Sequence, residues 1–122
     1  MRVALHPDAT LRAGLLRVAR VALAPMLINS GVSAAAVLAL EHGVPLVTTP
    51  LGTRGLHAKR TPGALAVAKA APDLAAAIVH LHENASRWRV QQARARAHVA
   101  RHLSVGLHLR ELRRAIEEST TI

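Results

Sequence analysis

Short apolar runs alternate with helical stripes through the first part of the chain. "VALH", with Val3 to Leu5 as its strand-like core, comes first, then "VALAP" from Val21 to Pro25 and "PLVTT" from Pro45 to Thr49. None of the three alternates apolar with polar. Continuous apolar runs of this length are the pattern of strands covered on both faces. Between the first two, Asp8 is placed to cap a helix whose Leu11, Leu15 and Val18 share a face. A second helix is expected to open near Ser33 and to end at Gly43, with Pro45 just beyond, because glycine followed by proline stops a helix. "ALAVA", Ala64 to Ala68, reads as a weaker fourth strand, alanine being a poor strand former.

Strand, helix, strand, helix, strand argues for a parallel sheet with right-handed crossovers. The last third changes character. Pro72 suits a first helical turn, and Leu74, Ala77, Ile78 and Leu81 form one stripe. "RWRVQQARARAHVARHL" predicts a further helix with Trp88, Ala95 and Val99 on one side. Ser104 then caps another, where Val105, Leu109, Leu112 and Ile116 align. The expected fold is α/β: a partial Rossmann-like parallel sheet of about four strands, flanked by helices, with a helical carboxyl-terminal third. The whole of 1–122 reads as a single, incomplete domain. The abrupt opening on a strand is what a piece of a longer protein would show.

Composition narrows the chemistry. At 51% hydrophobic residues the chain is no disordered tail, yet it has one Trp and neither Phe nor Tyr, so its core must be Leu, Val, Ile and Ala. With no Cys there are no disulfides and no thiolate metal sites. The net charge of +9 attracts anions such as nucleic acid, lipid headgroups or nucleotide phosphates. No apolar run reaches the about 20 residues that cross a bilayer, and Pro7 and Asp8 interrupt any signal-peptide core. A cytoplasmic location is expected, with a membrane-peripheral one as the alternative.

Asn29-Ser30-Gly31 lies between a strand's carboxyl end and a helix N-terminus. Unpaired backbone N–H groups and the helix dipole favour phosphate there, and small residues allow close approach. The plainer reading is that a helix simply starts after a small polar loop. His98 and His102, four apart, have metal-capable spacing but no acidic or thiol partner nearby, so an exposed pair on a basic helix is expected. Neither a metal nor a cofactor is expected. Arg87, Arg89, Arg94, Arg96, Arg101, Arg110, Arg113 and Arg114 are either a phosphate-contacting surface or a solvated face. Trp88 fits a core anchor better than a stacking platform. Carboxylates are scarce, no pair stands out, and no catalytic residue is assigned.

The stretch from Ala24 to Leu56 resembles the donor-binding half of GT-B-fold, group 1 glycosyltransferases. Ala24 and Pro25 match a strand end. Gly31 matches the last glycine of a loop, with Asn29 and Ser30 before it. Ala39, Gly43, Pro45, Leu46, Val47 and Thr49 match a helix end and the next strand, and Gly52, Gly55 and Leu56 match a turn. "APDLAAAIVHLHENASRW" and "VARHLS" resemble the family's closing elements. The resemblance implies that a nucleotide-diphosphate sugar is held at the βα loop. Asn29, Ser30, Gly31 and Val32 would offer backbone donors and Ser33 a hydroxyl. It also implies an amino-terminal acceptor domain that this chain lacks, and first strands of the donor domain that are missing as well, so that one sheet edge and part of an apolar face are expected to be uncovered and prone to self-association. Two positions depart from the family pattern: Leu38 stands where a ribose-binding glutamate is usual, and Ala35 where a basic residue is frequent. Glu41, three residues later, faces another side. The readings are therefore a donor-binding enzyme segment, inactive alone, a degenerate glycosyltransferase-like interaction domain, and, less favoured, a basic module for nucleic acid or anionic membrane.

Overall fold

The computed structural model describes residues 14–28, 32–103 and 105–120. The strand expected at Val3–Leu5, the Asp8 cap, Leu11 and the Ser104 cap lie outside them. Three strands form one parallel sheet: β1 (Ala22–Ala24), β2 (Leu46–Thr48) and β3 (Ala66–Val67), in the order β1-β2-β3. Leu23 stands opposite Val47, and Val47 opposite Ala66. The alanine-rich fourth run is thus a strand, a two-residue one at the sheet's edge.

Helix α1 (Ala34–Glu41) connects β1 to β2. Ser33 caps it, its Oγ accepting from the Ala36 N–H at 3.2 Å. The helix stops where the sequence says it should. Gly43 takes a left-handed φ of +70°, its N–H reaches the Leu40 carbonyl, and the Val44 N–H reaches that of Ala39. That pair of reversed bonds satisfies carbonyls that a helix end otherwise leaves open. The β2–β3 crossover contains no α-helix. It returns through two 3₁₀ turns, Leu51–Thr53 and Ala58–Arg60.

β2 is buried along its whole length, and its successive side chains point to opposite faces. Leu46 joins Ala24, Ala36, Ala39, Leu40, Leu56 and Ala95 on one side. Val47 joins Leu74 and Leu81, from α2 (Ala71–Glu83), on the other. Alanines on α1 let that helix lie close to the sheet. The α2 stripe is as expected, with Ala77 and Ile78 flanking the buried leucines. Val18 departs from its expected place: it is 82% exposed, and Leu16 packs against the core instead.

Helix α3 (Ala85–His98), continued by a π turn over Val99–Leu103, lies along the amino-terminal edge of the sheet. Its side chains hold the segments that lead into β1 and β2. Trp88 Nε1 donates to the Arg20 carbonyl at 2.6 Å, Gln91 to that of Leu46 at 3.0 Å, and Gln92 to that of Gly43 at 2.9 Å. Trp88 is half-buried, with the Arg20 guanidinium 5.2 Å from its ring centre. Helix α4 (Val105–Thr120) follows, with Leu109 and Leu112 about half exposed and two surface pairs, Arg113–Glu117 and Arg114–Glu118.

Candidate functional site

All three strands run the same way, so their carboxyl ends share one edge. Ligands of open parallel sheets gather outside that edge. Two threonines at the end of β2 build it. Thr48, fully buried, donates its hydroxyl to the Ala24 carbonyl at 2.8 Å. Thr49 donates to the Met26 carbonyl at 2.6 Å, and its own Oγ1 accepts from the Gly52 N–H at 3.3 Å. Each hydroxyl ties the chain leaving β1 to the chain leaving β2. The two loops also touch further out. Gly55 has a φ of +73°, and a Cβ there would overlap Val32 Cγ2. Only glycine combines that backbone with that contact.

Of the residues expected to hold an anion, Asn29, Ser30 and Gly31 lie outside the described residues. Val32 is about half exposed and rests on the Gly55 turn. The Ser33 oxygen is committed to capping α1, while its hydroxyl proton has no protein acceptor among the described residues. Leu38 and Ala35 are half-buried on α1, and Glu41 is exposed on another side. What the sequence reading missed here is the pair Thr48 and Thr49. Adjacent hydroxyl residues closing an otherwise apolar buried strand are the signal that could have found them.

The histidine expectation is corrected. His98 is completely buried, not exposed. Its Nε2 faces the Leu56 carbonyl, which can only accept, so Nε2 carries the proton. In that tautomer Nδ1 accepts from the Thr61 hydroxyl at 2.7 Å. The ring thus pins the β2–β3 crossover to α3. His102 lies with its ring centre 5.0 Å from that of His98. Burial, then the neighbouring His98, Arg60, His57 and Arg101, hold its pKa below the ordinary 6.5. Among the described residues no three His, Asp or Glu side chains converge as a metal site would need. The eight carboxyl-terminal arginines are all exposed.

A family model for glycosyl transferases group 1 matches residues 3–84, which include the whole sheet, both edge loops and α1. The chain belongs to the group 1 glycosyl transferases. No curated protein and no solved structure matches it. At the threonine-tied edge, loop backbone and the Ser33-capped start of α1 come together within the span that matches the family. No helix among the described residues is long and apolar enough to cross a membrane.

Proposed function

We propose that the chain is the donor-facing segment of a GT-B glycosyltransferase. In this reading it holds the diphosphate of a nucleotide sugar at the loop between β1 and α1, and it transfers no sugar without an acceptor domain. The observation that supports this is the convergence of the Val32–Ser33 and Leu51–Gly55 segments at the carboxyl edge, within the span that matches the family. Asn29 to Val32 would supply backbone donors and Ser33 its hydroxyl, at the positive end of α1.

Affinity should be low. A hydrogen bond to a charged group is worth about 1.5–3 kcal/mol, so two of them total about 3–6 kcal/mol before the cost of association, against the about 4 kcal/mol of a millimolar complex. Leu38 offers no acceptor for a ribose hydroxyl. Restoring one is the test. L38E should tighten UDP, GDP or ADP binding at least tenfold, while L38Q should recover less. Unchanged affinity in a variant that melts like the parent would contradict the donor-site reading.

The half-buried leucine at 38 also favours a second reading, a degenerate domain kept for contact with another protein. The nucleic-acid reading is weaker. The one aromatic side chain, Trp88, has its ring beside Arg20 and its N–H on a backbone carbonyl, which leaves little platform for a base.

A further inference from the structure

A second concave surface lies at the opposite, amino-terminal edge of the sheet. The segment entering β3 and the start of α3 line an open cleft of about 540 Å³. Its lining includes the apolar Leu65, Ala66 and Val90, the polar Asn84, Ser86 and Gln91, and the two arginines Arg87 and Arg94. They are seven residues apart, two helical turns, and so on one face of α3. Arg94 lies across the Gly63 turn so closely that a Cβ at Gly63 would overlap its Nη1.

Neither guanidinium is used by the fold. Among the described residues, no carboxylate pairs with Arg87 or Arg94, and no side-chain hydrogen bond leaves either head. Arg113–Glu117 and Arg114–Glu118, the ion pairs between described residues, are both on α4. The sequence explains why. Residues 42–72 and 84–110, which supply every wall of the cleft, contain no Asp or Glu. Two planar forks without counter-charge, in a cleft that also offers Leu65, Ala66 and Val90, match an anion joined to a carbon body. A cleft of this volume is of small-molecule size, within the range of roughly 300–1,000 Å³.

We propose that this cleft binds a small phosphorylated molecule, its phosphate held by Arg87 and Arg94 and its carbon body resting on Leu65, Ala66 and Val90. The site is separate from the donor loop and does not depend on it.

Calorimetric titration of the full chain with phenyl phosphate tests this, with inorganic phosphate as the body-less probe. Phenyl phosphate should bind saturably and several-fold tighter than inorganic phosphate. Amide shifts should centre on Gly63–Ala66 and Ser86–Arg94. R87Q/R94Q should weaken binding at least tenfold, while R113Q/R114Q, with the same charge change on α4, should stay within twofold. Should R87Q/R94Q melt early, V90E places a carboxylate in the cleft and should abolish binding in a folded chain. Equal losses in both arginine pairs, unsaturable binding, or shifts centred on Val32–Gly55 would overturn the proposal. So would binding confined to phosphatidate vesicles or to single-stranded RNA, since the phosphate would then be read on a surface rather than in the cleft.

Discussion

Replacing His98 by leucine tests the role assigned to the most buried polar ring. His98 donates to the Leu56 carbonyl and accepts from the Thr61 hydroxyl, and both partners belong to the crossover that carries no α-helix of its own. Leucine is close in volume and leaves little cavity, so the loss is mainly polar. Each bond contributes about 0.5–1.5 kcal/mol net, and a stranded buried carbonyl costs about 1–3 kcal/mol. Thr61 is only half-buried and can turn its hydroxyl to water, so the Leu56 carbonyl dominates. The expected loss is about 2–3 kcal/mol, a large share of the 5–15 kcal/mol that stabilises a typical domain. Urea unfolding should show the midpoint falling at constant slope. H98Q, which keeps an N–H donor, should lose less than about 1 kcal/mol. Amide exchange should accelerate across Leu56–Ala64 in H98L. Unchanged stability in H98L, or equal losses in H98L and H98Q, would refute the idea that the hydrogen bond to Leu56 holds the crossover.

Two further outcomes follow from the same structure. The pKa of His102 is lower folded than the 6.5 it recovers when unfolded, so the unfolded chain binds the extra proton and stability should fall as pH drops below 6.5; melting at pH 5 and 7.5 should show this, and H102N should flatten the dependence. Val18, Leu27 and Ile28 are 82, 79 and 82% exposed, and such surface favours association; sedimentation should give a mass that rises with concentration, and a concentration-independent monomer would argue against it.

The sheet was legible because its signals are local. Leu46–Thr48 is a short unbroken apolar run ended by hydroxyls, and Gly43 with Pro45 marks the helix stop within a few residues. The α2 stripe was legible for the same reason. His98 was not. Its spacing to His102 and its arginine neighbours describe the helix, whereas its burial is decided by a carbonyl and a hydroxyl some forty residues away. A hint was present: Gln91 and His98 share the stripe of Trp88 and Ala95, and polar residues on an apolar stripe imply partners across the interface. Val18 was misplaced because Leu15 and Leu16 stand side by side, and periodicity alone cannot choose which of two adjacent leucines sets the buried face. At the candidate site, the glycine and proline positions were readable, but the threonine ties depend on how β1 and β2 are paired.

The central claim, that the carboxyl edge of this sheet is the donor-binding edge, is tested most directly by titrating the ¹⁵N-labelled chain with UDP, GDP and ADP. Weak binding is expected, millimolar or beyond, with amide shifts at Asn29–Ser33 and the Leu51–Gly55 turn that persist in R87Q/R94Q, whatever shifts the separate cleft on α3 adds. Micromolar affinity would show that the loss of a glutamate at position 38 has been overweighted. Shifts confined to α3, with Asn29–Ser33 unmoved, would contradict the claim.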